Sequence, residues 1–201
     1  MREQRGSLGT VRQWHWISSA VCLVGMVLFA ITGITLNHAD IIPADPRITT
    51  LEAELPAEIA AVLKAQEVAG PLPEPVLEWL AADLDLHVGV DRLGEWSEEE
   101  VYLALPEPGG DAWLSLDLAA GELFYERTDR GWISYFNDLH KARSTGMIWR
   151  WFIDVFAIAC IVFCVTGLLL LIRHADHRPA TWPTVGLGLV VPLVLIILFV
   201  H

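Results

Sequence analysis

The hydrophilic middle of this chain, residues 38 to 147, contains no cysteine. All three cysteines, Cys22, Cys160 and Cys164, fall in apolar stretches, which excludes a disulfide framework for the middle even in an oxidising compartment. Cys160 and Cys164 share a helix face and read as small apolar residues. Basic residues are also scarce: 13 Lys and Arg stand against 25 Asp and Glu, a net charge of −12. Residues 38 to 147 concentrate that imbalance, with 22 acids against 7 bases. Such a surface argues against nucleic acid or anionic lipid as a partner; it serves solubility, or weak attraction for cations. The chain also lacks a Gly-rich flavin or nicotinamide fingerprint, a phosphate loop, a Ser-His-Asp or Cys-His set and a metal-binding cysteine cluster. Hydrolysis and phosphoryl transfer therefore have no residues to support them.

Long apolar runs are what the chain does have. With 54% hydrophobic residues it is too apolar for one soluble domain of this size, and too charged for spans alone. Ile17 to Leu36 is about 20 residues without a charge, enough to cross roughly 30 Å of hydrocarbon. Trp151 to Ile172 is a second run, interrupted only by Asp154, and Thr184 to Val200 a shorter third containing Gly186, Gly188 and Pro192. The first run is too long for a signal peptide and "TLNHADIIP" offers no cleavage site, so it reads as an uncleaved anchor. Arg2, Arg5 and Arg12 before the first run, and Arg173 and Arg178 between the second and third, place those segments in the cytoplasm. The predicted organisation is a cytoplasmic N-terminus (1–12), helix one (13–37), an external domain (38–147), helix two (148–172), a cytoplasmic loop (173–183) and helix three (184–200), with His201 outside.

Within the external domain "ADIIPADPR" reads as a linker, "LEAELPAEIAAVLKAQEV" as a helix and "EPVLEWLAADL" as a second helix opened by Pro75. From Glu100 the apolar period becomes two. "VYLAL", "AWLSLDL" and "LFYER" alternate as strands, with turns at Gly109-Gly110 and Gly121, and "LHVGVDRL" suggests a further strand. The fold class is thus an α+β membrane protein, three helices with a small helix-plus-antiparallel-meander domain between the first two.

The first two apolar segments have a common plan. "WHWISSAVCLVGMVLFAITG" and "WRWFIDVFAIACIVFCVTG" share a Trp-x-Trp opening and a Thr-Gly close, and they run in opposite directions through the membrane. An inverted repeat and a chance likeness of apolar segments both fit. Gly33 and Gly167 permit close helix contact in either case.

"SLDLAAGELFYER" followed by "DLHKARSTGMIWRWFIDVFAIACIVFCVTGLLLL" resembles the PepSY-associated transmembrane proteins. "RQWHW" resembles the opening of that family's first helix with His15 at its histidine, "DLH" with His140 the approach to the next helix, and "VTGLLLL" its exit. The resemblance covers nearly everything except the third span. It implies a PepSY domain between helices of the bacterial inner membrane. Larger, four-helix relatives include haem b reductases that release iron from siderophores on the outer side, and this chain departs from them in helix count.

Bis-histidine haem needs two neutral imidazoles on opposite sides of the iron. His38 and His140 fall at the outer boundary, and His15 and His174 at the inner one, so each pair is a candidate ligand set for haem b. A single outer haem on His38 and His140 is a variant, since His15 and His38 lie 23 residues apart, about 34 Å along a helix. Imidazoles that merely occupy the membrane interface explain the same positions. Asp154, the one acid within a span, suggests either a proton relay or an ion pair with Arg150 one turn earlier. Two functions follow. One is a redox protein passing electrons from a quinol or a membrane redox partner to an external ferric or ferric-siderophore acceptor. The other is a membrane-anchored binding module for a transporter, enzyme or envelope protein, with a homodimer as a further expectation.

Overall fold

The computed structural model describes residues 9–43, 45–66, 69–175 and 178–200. Arg2, Arg5 and His201 lie outside the described residues. The protein is an α+β membrane protein with three helices long and apolar enough to cross a bilayer: α1 (Val11–Asn37), α5 (Met147–His174) and α6 (Thr181–Phe199). Between α1 and α5 come β1 (Arg47–Glu54), α2 (Ala57–Lys64), α3 (Glu74–Leu84), β2 (Glu95–Trp96), β3 (Glu100–Glu107), β4 (Gly110–Asp117), β5 (Glu122–Asp129) and α4 (Gly131–His140). The chain divides into two compact units, Met1–Leu28 with Trp151–His201, and Phe29–Arg150.

In the first unit, α1 starts on a reciprocal cap. The Gln13 amide oxygen accepts from Thr10 N at 2.8 Å, and Thr10 Oγ1 accepts from Gln13 N at 3.2 Å, a capping box that satisfies two otherwise orphaned donors. The polar side chains inside α1 are satisfied locally. Ser18 Oγ donates to the Trp14 carbonyl at 2.7 Å and Cys22 Sγ to the Ser18 carbonyl at 2.8 Å, so both stay buried at low cost. Gly25 lets α5 approach closely: a Cβ there would fall 2.4 Å from the Phe156 ring. Helix α6 buries no residue and carries Pro192 in its interior.

The second unit contains a five-stranded sheet in the order β1-β5-β4-β3-β2, antiparallel throughout. Alternation selects its core face. Val101 pairs with Leu116 and Leu103 with Leu114 across β3 and β4, while Leu123 continues the row from Leu116 into β5. Ile59 and Leu63 of α2 and Val76 and Leu80 of α3 join those leucines in one core. Each fully buried leucine there contributes about 1.5–3 kcal/mol by leaving water. Helix α3 begins with Pro75 in its first turn, where no amide is missed, and ends on Asp85 in the left-handed region (φ 54°). The β4–β5 turn uses Gly121 (φ 74°), and Asp117 Oδ1 accepts from the Ala119 and Ala120 amides at 2.8 and 2.7 Å.

Three sequence expectations change. Residues Arg47–Glu54, the second half of which the sequence assigns to the front of a helix, form edge strand β1, whose Leu51 and Ala53 are the partly buried positions ahead of buried Leu55. "LHVGVDRL" forms no strand; the short β2 lies two residues beyond it at Glu95–Trp96, fixed by Trp96 Nε1 donating to the Gly70 carbonyl at 2.8 Å. Helix α4 has no counterpart among the elements expected from the sequence.

Candidate functional site

The four boundary histidines have one chemical feature in common. In each, Nδ1 is held by the protein: by the Thr166 hydroxyl (3.1 Å) and Phe163 carbonyl (3.3 Å) at His15, by Thr32 Oγ1 (2.6 Å) at His140, by the Ile34 carbonyl (2.9 Å) at His38 and by the Leu170 carbonyl (2.9 Å) at His174. A carbonyl only accepts, so at His15, His38 and His174 it is Nδ1 that carries the proton. The Thr166 hydroxyl donates to the Val162 carbonyl at 2.6 Å, which leaves its oxygen to accept from His15. Thr32 Oγ1 lies 3.2 Å from the Phe29 carbonyl; with its proton assigned there, as at Thr166, His140 also donates from Nδ1. In the neutral ring each Nε2 is then a bare lone pair.

His15 and His140 are seated in matching ways. The His15 ring stacks on Phe163 (centroids 4.8 Å, planes 14° apart) and lies against Gly167, where a Cβ would come 3.2 Å from Cε1. His140 packs on Phe29 (4.7 Å, 45°) beside Gly33, where a Cβ would fall 3.9 Å from its Cε1. Thr166 and Thr32 are buried, and both rings are half-buried. The Thr-Gly pair that closes each apolar phrase thus receives the histidine associated with the other one: His15 on Thr166-Gly167, His140 on Thr32-Gly33. A second hydrogen bond reinforces the latter, with Thr35 Oγ1 donating to Asn137 Oδ1 at 2.6 Å. The sequence drew attention to the glycines and missed the threonines, although Thr-Gly had stood out as the repeated element.

His38 and His174 are exposed. Among the described residues, no hydrogen bond or ring contact joins His38 to His140 within their unit, or His15 to His174 within theirs. Asp154 and Arg150 are both exposed, and neither belongs to an ion pair among the described residues. No group of three or more His, Cys, Asp or Glu side chains converges as a metal site among these residues.

The sheet carries the remaining charged contacts. Arg127 Nε meets Glu107 Oε1 at 2.5 Å, a hydrogen bond that raises the arginine pKa further, and Arg130 pairs with Asp111. Burial pushes the neighbouring Tyr125 phenol above its usual 10.0. Tyr102, Trp113 and Phe124 form a continuous aromatic row, with centroid spacings of 6.0 and 5.1 Å, and Trp113 Nε1 donates to Glu126 Oε1 at 3.3 Å.

No curated protein and no solved structure gives a match to the chain. A protein-family model, PepSY_TM-like, matches residues 7–201, which takes in all three membrane helices and the sheet between them. The chain therefore belongs to the PepSY_TM-like family of membrane proteins.

Proposed function

We propose that this PepSY_TM-like protein binds haem b through its boundary histidines and carries electrons across the bacterial inner membrane to a ferric or ferric-siderophore acceptor outside. The observation that carries the reading is the common state of His15, His38, His140 and His174: Nδ1–H is donated to the protein and Nε2 is left bare. Protein-held Nδ1–H is the arrangement by which an imidazole is oriented, and its basicity raised, for a metal. The donor chemistry fits a haem iron. His15 and His140 are the preorganised ligands, each with an aromatic ring beside it and a glycine that leaves room at its edge. His174 and His38, both exposed, would be the second ligands of the inner and outer sites. Bound haem would supply one-electron chemistry; the chain itself orients the imidazoles and lines their surroundings with apolar side chains. Electrons come from a quinol or a membrane redox protein. Arg12, Arg173 and Arg178 favour a cytoplasmic N-terminus, with the sheet domain and C-terminus outside.

Purification in mild detergent from cells fed a haem precursor, followed by oxidised and dithionite-reduced spectra and a pyridine haemochrome assay, tests this. The expected result is a reducible b-type spectrum that loses intensity in His15→Ala and in His140→Ala. A colourless protein from haem-replete cells overturns it.

A second reading, a membrane-anchored PepSY binding module, is favoured by the row Tyr102, Trp113 and Phe124, whose cross-strand neighbours include Glu52 and Glu126. Aromatic faces edged by carboxylates suit a cationic partner. Retained partner capture by a colourless protein, lost on Trp113→Ala, is the outcome that favours this reading.

A further inference from the structure

Helix α4 is built inside out for a water-exposed helix. Its polar side chains are the buried ones, Asn137 at 6% and Asp138 at 5% exposure, whereas Trp132 is 77%, Ile133 47%, Phe136 41% and Tyr135 37% exposed. At 100° per residue Trp132, Tyr135 and Phe136 fall on one face, and Ser134, Asn137 and Asp138 on the opposite face. The buried polar groups are satisfied: Asp138 Oδ2 accepts from Gly109 N at 3.0 Å, and Asn137 Oδ1 accepts from Thr35 at 2.6 Å. The aromatic face has no such account, because in water it would forfeit the burial of three large aromatic side chains, with Ile133 exposed at its flank.

We infer that α4 lies in the bilayer interface on the side of the sheet domain, with Trp132, Ile133, Tyr135 and Phe136 among the lipid headgroups and upper acyl chains. Continuity with the membrane helices selects lipid as the occupant. The C-terminal half of α4 is tied to the last turns of α1 through His140–Thr32 and Asn137–Thr35. Six residues after α4 the chain enters α5, and Trp149 Nε1 of that helix donates to the Leu139 carbonyl of α4 at 2.9 Å. A short helix fastened at that end to membrane-spanning segments, with aromatics outward and polar groups inward, matches an interfacial helix, where Trp and Tyr rings prefer the headgroup level. Through Asp138 and Tyr135 the same helix grips the β3–β4 turn: a Cβ on Gly109 would meet the Tyr135 backbone at 2.8 Å. The interface thereby becomes the floor on which the sheet is mounted. This inference stands apart from haem binding.

The full chain is placed in nanodiscs of phosphatidylcholine, either unmodified or brominated on the upper acyl carbons. Tryptophan emission is compared with that of Trp132→Phe, so that the difference isolates Trp132 from the other eight tryptophans. The expected result is a Trp132 contribution that is lost in brominated lipid and unaffected by aqueous iodide. A contribution that persists in brominated lipid overturns the inference: quenching by iodide then means a water-facing helix, and quenching by neither means a protein surface over the patch. If Trp132→Phe fails to fold by far-ultraviolet circular dichroism, Phe136→Trp in the otherwise native chain supplies the same reading as added emission that brominated lipid either removes or leaves.

Discussion

His15 donates its Nδ1 proton to the hydroxyl of Thr166, 151 residues away, and that hydroxyl passes its own proton to the Val162 carbonyl one turn back in α5. The threonine is thus an acceptor held in place by its own helix, and the pairing fixes both the tautomer of the histidine and the depth at which α1 meets α5. Thr32 and His140 repeat the device in the second unit.

Replacing Thr166 by Val keeps the shape and removes the acceptor, leaving His15 the weaker 3.3 Å contact with the Phe163 carbonyl. Interhelical hydrogen bonds of this kind in membranes contribute about 0.6 kcal/mol and at most about 2. Thr166→Val is expected to lower the melting temperature in detergent modestly, and Thr166→Ser to restore it. Under the proposed ligation of haem by His15, Thr166→Val is also expected to shift the midpoint potential, because the imidazole would lose an orienting partner; a redox titration reads that change.

At Gly25, α1 and α5 pack closely, since a Cβ there would fall 2.4 Å from the Phe156 ring. Gly25→Ala forces the Phe156 ring to shift and is expected to destabilise the protein by about 1–3 kcal/mol, the usual cost of overpacking. Phe156→Leu in the same chain relieves the clash. Thermal melts of the two single variants and the double variant check the coupling: independent, additive losses contradict a direct contact.

Tyr125 provides a pH signature for the sheet domain. Its phenol ionises at a higher pH when folded than its ordinary 10.0, chiefly because of burial, with Arg127 opposing the shift. The unfolded chain therefore ionises first as the pH rises. The stability linked to this group is complete below about pH 10 and is lost as pH climbs through the folded value. Tyr125→Phe is expected to flatten that part of the alkaline limb. Denaturant midpoints of the full chain between neutral and strongly alkaline pH measure it.

Much of the fold was legible because it is periodic. Three apolar helices, helix α3 and strands β3, β4 and β5 announce themselves through spacing, Pro75 and the turn glycines. Strand β1 was hidden because it is an edge: only Leu51 and Ala53 turn inward, and the run into "PAEIAAVLK" imitates a helix with an acidic start. Helix α4 was hidden for the opposite reason, since a pattern read for a water-exposed helix is inverted when the apolar side faces outward. At the candidate site the sequence identifies four histidines by their position at or beside the ends of the membrane helices. It could not supply their partners, because what Thr32 and Thr166 accept depends on which residue another helix brings against them.

Strand β1 pairs along its whole length with β5, Arg47 opposite Asp129 and Glu54 opposite Glu122. The first strand to be synthesised therefore has as its neighbour the last: until residue 122 has been delivered β1 has nothing to pair with, and its pairing is complete only at residue 129. Assembly of the sheet is a closing act: it completes once nearly the whole domain is on one side of the bilayer, and it then draws the exit of α1 and the approach to α4 to the same corner. A chain stalled in delivery before β5 would leave an extended, unpaired edge beside the membrane, an open invitation to aggregation or to a protease.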